Sequence, residues 1–131
     1  MALVFGTLYV AVAGNGDKEE KKTEPRVITM TDLLKFKPEQ ITIESGQAVL
    51  WKNTSVLVHT VTCDSELVAR AKNVAYPENA EPFDSGDIEP DSTFQHTFTV
   101  PGPYKYFCIP HEATGMVGEI IVKPGDLSSG Q

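Results

Sequence analysis

Basic residues are scarce in this chain. It has 11 Lys and Arg against 18 Asp and Glu, for a formal net charge of -7. Nucleic acid binding depends on clustered Lys and Arg that neutralise phosphates, so this composition excludes nucleic acid as a partner. An acidic surface instead favours a protein partner with a basic docking face, which it attracts at long range and releases quickly. Acidity that serves solubility alone is the alternative.

Cysteines are also few. The chain contains 2, Cys63 and Cys108, and the bare count suggests a single disulfide. Cys108, however, lies in a short loop that also contains His111 and Met116, and a disulfide would remove its thiol from that group of donors. We therefore interpret Cys108 as a metal-binding thiolate. Cys63 is then a free cysteine that packs as a small buried hydrophobe.

Enzyme signatures and membrane-length apolar runs are missing as well. The chain has neither the nucleophile elbow of a hydrolase nor the helical motif of a metalloprotease.

The apolar segment 1–14 is too short to span a bilayer, which needs about 20 residues. It ends in Ala11-Val12-Ala13, which resembles a signal-peptidase site. We therefore expect export to the periplasm or the outer face of the membrane; a remnant of a membrane tether, or a segment packed on the domain, is the alternative.

The rest of the chain divides into three parts. Segment 15–25 is charged and lacks apolar periodicity, which is typical of a linker. Residues 26–124 are predicted to form the folded domain, and 125–131 a flexible tail. A chain of 131 residues is long enough for a single hydrophobic core.

Apolar residues alternate with polar ones from Arg26 onward, which predicts an all-β domain, a small sandwich or barrel. Asp64–Asn73 interrupts this pattern with early acids and late bases, which predicts a short helix between strands. Tyr76–Phe83 contains prolines and is expected to be an irregular excursion beside a sheet edge. The predicted strands include Gln40–Glu44, Val49–Trp51, Val58–Cys63, Thr93–Val100, Tyr104–Cys108 and Val117–Val122.

The stretch Tyr104–Met116 carries most of the chemistry. It brings the thiolate of Cys108, the imidazole of His111 and the thioether of Met116 into one loop. Two histidines and a cysteine with a weak axial methionine form a donor set that suits copper cycling between two oxidation states. One further histidine is needed to complete such a set.

His59 and His96 are the two candidates for that position. His59 lies near the start of its predicted strand, so its imidazole is expected at the end of the sandwich where the Cys108–Met116 loop also lies. His96 lies in the middle of a strand, and its neighbours on the same face, Phe94 and Phe98, are apolar. We therefore predict that His59 is the ligand and that His96 is a packed or edge residue.

Phe107 occupies an unusual position in this pattern. Successive strand residues point to opposite faces, so an inward Cys108 implies an outward Phe107. An exposed aromatic ring often marks a contact surface. Coverage of the ring by the Tyr76–Phe83 excursion is the alternative.

These motifs together resemble the plastocyanin and halocyanin branch of the cupredoxins, and pseudoazurins share the loop spacing. The resemblance covers most of Arg26–Val122 and implies a Greek-key β-sandwich that holds one type 1 copper ion. It rests on Leu34–Pro38, Ile41–Gly46, Val49–Asn53, Val58–Val61 and the Tyr104–Gly118 stretch.

The resemblance also implies roles for single residues. His59, Cys108 and His111 would be the strong equatorial ligands, with Met116 as the weak axial ligand. Pro110 has no N–H and therefore cannot donate a second backbone hydrogen bond to the Cys108 sulfur. The N–H of Thr60 would be the remaining donor. His111 resembles the partly exposed ligand through which the electron leaves.

Some positions depart from the plastocyanin pattern. Thr60 and Ile109 replace an Asn and a small polar residue, so we expect the side-chain hydrogen bond between their two loops to be lost. Phe107 stands where plastocyanins have a tyrosine. The acidic patches of plant plastocyanins cannot be transferred. A different patch is expected from Asp64, Glu66, Glu78, Glu81, Asp84, Asp87, Glu89 and Asp91.

The expected function is that of a one-electron carrier with a single copper ion, not an enzyme. Its partners would be redox proteins such as a cytochrome or an oxidase. A domain of a copper oxidase or nitrite reductase is one alternative, but the 3 histidines leave only His96 for a further copper site. A copper delivery protein is the other, although exchange favours open clusters of Met and His, and the chain has 3 methionines. We expect a monomer.

Overall fold

Nine strands in residues 24–125, the part of the chain that the computed structural model describes, form two mixed sheets. The predictions for segment 1–14, for most of the linker and for the tail lie outside these residues. The strands are β1 (Arg26–Met30), β2 (Phe36–Lys37), β3 (Gln40–Glu44), β4 (Gln47–Asn53), β5 (Thr62–Cys63), β6 (Phe83–Asp84), β7 (Thr93–Phe98), β8 (Gly102–Phe107) and β9 (Val117–Lys123).

The two sheets form a sandwich, as predicted. One sheet has the order β2-β1-β4-β7 and the other β3-β9-β8-β5-β6. The pairs β1–β4 and β3–β9 are parallel, and the other pairs are antiparallel. The chain passes repeatedly from one sheet to the other, so consecutive strands contribute to both faces of one core.

The predicted alternation fills that core. Ile41, Ile43, Val49 and Trp51 are all buried, and burying such side chains contributes about 1.5–3 kcal/mol each. The indole N–H of Trp51 donates a hydrogen bond of 3.1 Å to the Tyr106 hydroxyl, which satisfies both buried polar groups.

Gly118 on β9 is required beside this pair. A Cβ at that position would meet the Tyr106 ring, so any larger residue would displace the ring from the core.

The irregular parts of the chain are shorter than the sequence suggests. The helix expected in Asp64–Asn73 is a three-residue 3-10 helix, Ala71–Asn73. The end of the Tyr76–Phe83 excursion becomes β6, the edge strand beside β5. A second 3-10 helix, Ile109–Thr114, follows β8. No helix in residues 24–125 is long and apolar enough to cross a membrane.

Phe107 is fully buried, so the expected exposed ring is not present. Residues 72–75 return beside β8 at Lys105. Ala75 forms a β-bridge with Lys105, and the Lys105 ammonium, on the same face as Phe107, donates to the carbonyl of Lys72 at 3.1 Å. The prediction of a contact surface around an exposed Phe107 ring is therefore wrong.

Candidate metal centre

Three donor atoms meet at one end of the sandwich. The Cys108 sulfur lies 3.6 Å from Nδ1 of His59 and 3.5 Å from Nδ1 of His111. The ligand atoms of the three residues all lie within 4.8 Å of one another. His59 precedes β5, Cys108 follows β8, and His111 lies in the second 3-10 helix, so the site joins three separate parts of the chain.

These distances fit a single metal ion. Bonds of about 2.0 Å to imidazole nitrogen and about 2.3 Å to thiolate sulfur, set at trigonal angles, separate nitrogen and sulfur by about 3.7 Å. The observed separations are within about 0.2 Å of that value. The donor set of two imidazoles and a thiolate favours copper over the hard cations, which take oxygen ligands.

Met116 closes the loop that carries Cys108 and His111. Its carbonyl accepts from the N–H of Cys108 at 3.1 Å, and its own N–H donates to the carbonyl of His111 at 3.2 Å. The side chain is fully buried in the same core cluster as Cys108. The loop predicted from its spacing is thus a closed unit with the thioether inside the protein.

His59 is held on both sides. Its backbone exchanges two hydrogen bonds with Ile88, of 2.7 and 3.2 Å, although the expected strand Val58–Cys63 forms a regular ladder only at Thr62–Cys63. Its Nε2 lies 2.9 Å from the Ser55 hydroxyl oxygen. Burial and the nearby His111 ring both lower the pKa of His59, which favours the neutral imidazole that a metal requires.

Two acceptors near the Ser55 hydroxyl, Oδ1 of Asn53 and the carbonyl of Leu57, favour Nε2 of His59 as the nitrogen that carries the proton. Both amide hydrogens of Asn53 are donated to carbonyls, of Leu57 at 2.7 Å and Ile88 at 2.9 Å. Its Oδ1 therefore faces Ser55 and accepts the Ser55 hydroxyl at 2.7 Å. The Ser55 oxygen is left to accept from Nε2–H of His59, and Nδ1 keeps its lone pair toward Cys108.

Thr60 holds the Cys108 sulfur as predicted, since its N–H lies 3.4 Å from Sγ. Burial raises the pKa of the Cys108 thiol, and the backbone N–H groups of Thr60 and His111 act in the opposite direction. Metal binding would remove the thiol proton, because a coordinating thiol is deprotonated.

The two loops remain joined although Ile109 has no polar side chain that could bond to Thr60. The N–H of Ile109 donates a hydrogen bond of 2.8 Å to the Thr60 hydroxyl. A side-chain to backbone bond therefore joins the loops without requiring a polar side chain at position 109. The donor is a backbone N–H, which almost any residue at position 109 would supply, so the residue type there does not reveal the bond.

Glu112 is a functional candidate that the sequence did not reveal. Its buried carboxylate accepts from the N–H groups of Ala69 and Arg70, both at 3.0 Å, and from the Asn73 amide at 2.9 Å. Burial alone would raise the pKa of Glu112, but these hydrogen bonds and the Arg70 charge lower it. The carboxylate thus ties the His111 loop to residues 69–73.

The structure places the remaining candidates away from this centre. His96 stacks on Phe83 with a ring separation of 3.9 Å and meets the edge of Phe98; burial lowers its pKa. Cys63 is a buried free cysteine, as predicted, and lies 3.4 Å from the carbonyl oxygen of Lys105. Ser55 and Asn53 were missed because they resemble ordinary strand-ending residues.

Comparisons with known proteins agree with this geometry. The family model described as copper binding proteins, plastocyanin/azurin family, matches residues 25–123. The chain is 34% identical over 90 residues to a chloroplastic plastocyanin of Oryza sativa subsp. indica, covering 69% of this chain and 56% of that protein. It is 33% identical over 89 residues to the plastocyanin of Sambucus nigra, covering 68% and 88%.

The chain spans little more than half the length of several of these relatives, as with 59% of the Tetradesmus obliquus plastocyanin. Among solved structures, a mutant of amicyanin in its Cu(I) form superimposes with a TM-score of 0.59 at 21% identity, covering 76% of this chain and 82% of that one. At that identity the likeness shows the fold. With the family match over residues 25–123 and the His59, Cys108 and His111 donors in one group, the chain belongs to the plastocyanin/azurin family of copper-binding proteins, the cupredoxins, whose cofactor is one type 1 copper ion.

Proposed function

We propose that the protein is a one-electron carrier and that His59, Cys108, His111 and Met116 are the ligands of its single copper ion. The observation that carries this proposal is the convergence of three donor atoms, with the Cys108 sulfur 3.5 and 3.6 Å from the two imidazole nitrogens. When bound, copper supplies a Cu²⁺/Cu⁺ couple that accepts and returns one electron. No bond to a substrate needs to form.

The surroundings suit repeated electron transfer because they hold the donors in place. Two hydrogen bonds orient two of the ligands from outside the site: Nε2–H of His59 donates to Ser55, and the N–H of Thr60 donates to the Cys108 sulfur. Neither contact requires the metal. Donors held by the protein in one arrangement change little between oxidation states, so little reorganisation opposes transfer.

His111 is the proposed exit for the electron. It is partly exposed, whereas His59 and Cys108 are fully buried. A partner that docks at this end therefore comes nearest to the centre through the His111 ring. Ile109, beside it in the loop, is 43% exposed and offers apolar contact area.

The two alternative functions lack supporting geometry. An oxidase or nitrite reductase domain needs further copper sites, and in residues 24–125 the group formed by His59, Cys108 and His111 is the only cluster of at least three His, Cys, Asp or Glu that could hold a metal. A delivery protein needs an accessible site for exchange. Met116 and two of the other three donors are instead fully buried.

We propose redox proteins with a basic face as partners, and an extracytoplasmic location for a monomer that carries an export signal or a tether in 1–14. The net charge of -7 supports the basic face. The acidic side chains of the region from Glu66 to Asp91 are exposed and are available for long-range attraction.

The copper form tests the ligand assignment. Wild-type protein with one equivalent of Cu²⁺ is expected to be intensely blue from charge transfer between the thiolate and copper. Cys108→Ser should abolish the colour and His59→Ala should strongly alter the spectrum. His96→Ala is the matched control and should leave it nearly unchanged. A colourless wild type that binds copper would rule out the assignment.

Electron transfer itself is tested by stopped-flow reduction with candidate cytochromes at several salt concentrations. Rates that fall with salt for a basic cytochrome are expected for an acidic carrier. A blue protein that exchanges no electrons with any redox protein would contradict the carrier role while leaving the copper site intact.

A further inference from the structure

Three hydrogen bonds run from the metal loop to the surface of the second sheet. The N–H of Ile109 donates to the Thr60 hydroxyl at 2.8 Å. The Thr60 and Thr62 hydroxyl oxygens are 2.8 Å apart, and the Thr62 hydroxyl donates to Oδ1 of Asp84 at 2.8 Å. Both threonines are buried, and Asp84 is exposed at the other end. We call these groups the hydroxyl relay.

The hydroxyl hydrogens of the relay all point the same way, toward Asp84. A carboxylate only accepts, so the Thr62 hydrogen is committed to Asp84. The Thr62 oxygen must then accept from Thr60, whose own hydrogen is thereby used. Thr60 is left with lone pairs that face the N–H of Ile109. Every polar group is satisfied in this arrangement, whereas the reversed direction would set the Thr60 hydrogen against the Ile109 hydrogen.

We propose that Asp84 and Thr62 are positioning residues that, through Thr60, control the hydrogen bond to the copper-binding sulfur and so tune the reduction potential; this rests on the proposed electron-carrier function. Thr60 is the common element. Its hydroxyl holds Ile109, and its N–H lies 3.4 Å from the sulfur of Cys108, the residue just before Ile109. Fixing the Thr60 side chain therefore fixes its N–H relative to the thiolate.

Strand pairing between β5 and β6 fixes the outer end of the hydroxyl relay. Thr62 and Asp84 are cross-strand neighbours in β5 and β6. The next residues along also pair, because the N–H of Val61 donates to the Ser85 hydroxyl at 2.8 Å and the N–H of Ser85 donates to the carbonyl of Val61 at 3.0 Å. β6 therefore presents Asp84 to Thr62 in a defined place.

The expected direction of the redox effect follows from the sulfur contact. An N–H held close to the thiolate draws electron density from it and leaves less to stabilise Cu²⁺, which raises the potential. A loosened relay should therefore lower the potential. Removing the negative charge of Asp84 should do the opposite, because a nearby anion favours the more positive copper ion.

Thr62→Val tests the relay in two ways. In metal-free protein, amide exchange at Ile109, followed by NMR, should become about two- to tenfold faster, the effect expected for one weakened hydrogen bond. In copper-loaded protein, redox titration should give a lower potential with the blue colour retained. Thr62→Ser keeps the hydroxyl and should restore both values. Thr42→Val, an exposed threonine on β3, is the matched control and should change neither.

Asp84→Asn removes the negative charge of the side chain but keeps an acceptor for the Thr62 hydroxyl. Its Oδ1 can still accept from Thr62, so Ile109 exchange should stay near the wild-type rate while the potential rises. Asp87→Asn removes an exposed charge outside the relay and measures the charge effect alone.

Unchanged Ile109 exchange and unchanged potential in a folded Thr62→Val variant would overturn the proposal. A potential that rises in that variant would do so as well, since it would point to an effect other than a loosened sulfur contact. The exchange measurement needs no copper, so its failure is distinguishable from failure of the electron-carrier function, which a colourless copper form would reveal.

Discussion

Ser55→Ala removes the contact that orients the buried His59 ligand. The Ser55 oxygen is the partner of His59 Nε2 at 2.9 Å. Without it, the Nε2–H loses its side-chain acceptor, with the Thr31 backbone as a further partner of the ring, and the proton is less firmly held away from Nδ1. That nitrogen is the one that faces the Cys108 sulfur at 3.6 Å. We expect weaker copper binding by a protein that still folds.

The magnitude follows from the number of groups left without a partner. Asn53 Oδ1 keeps the N–H of Ser55 at 2.9 Å, so two donors lose their acceptor, Nε2–H of the buried His59 and the part-buried N–H of Leu57 at 3.1 Å. A buried donor left without a partner costs about 1–3 kcal/mol. Loss of an outer partner of a metal ligand typically reduces affinity about 10–100-fold, which corresponds to about 1.4–2.8 kcal/mol. The first figure is the expected fall in the free energy of unfolding, and the second is the expected loss of copper-binding free energy.

Competition with a chelator of known affinity measures the copper affinity, and thermal unfolding of the metal-free protein reports whether the fold is intact. Ser45→Ala is the matched control. It also removes a hydroxyl that donates a hydrogen bond, to the carbonyl of Thr99 at 2.5 Å. Ser45 lies at the turn between β3 and β4, far from the site. A folded Ser55→Ala variant with wild-type affinity would refute the assignment of the His59 proton to Nε2.

Two further predictions concern buried groups outside the set of donors. Glu112→Gln replaces one acceptor with a donor that faces backbone N–H groups, so the free energy of unfolding should fall by about 1.5–3 kcal/mol in denaturant titration. The control is Glu119→Gln, which removes an exposed ion pair of 3.9 Å with Lys105 and should cost under about 1 kcal/mol. Equal losses in the two variants would contradict the role of Glu112. Burial raises the pKa of Cys63 to about 12, so in a Cys108→Ser background Cys63 should resist alkylation at pH 8 until the protein unfolds. Rapid labelling of the native variant, followed by mass spectrometry, would contradict that burial.

Local pattern predicted the strands where one face is buried and the other is not. Gln40–Glu44 and Gln47–Asn53 follow the alternation, with Ile41, Ile43, Val49 and Trp51 inside. The pattern failed at Val58–Val61, because consecutive residues from His59 to Cys63 are all buried and the backbone there pairs through a bridge to Ile88.

Phe107 shows a second limit of the same reasoning. Parity correctly separates it from Cys108, since Tyr104, Tyr106 and Cys108 lie in the main core cluster and Phe107 does not. Parity says nothing about what covers the other face. What covers that face depends on contacts between distant parts of the chain, such as that between Lys105 and Lys72.

The sequence by itself determined the sandwich class, the donor types in the Cys108–Met116 loop and the choice of copper, because strand alternation and ligand chemistry are local properties of neighbouring residues. Only the tertiary structure decided how the donors are oriented. The proton position on His59 depends on Ser55 and Asn53, and the link between the loops depends on the bond between Ile109 and Thr60. Such contacts depend on distances and directions between residues far apart in the chain, which no local pattern specifies.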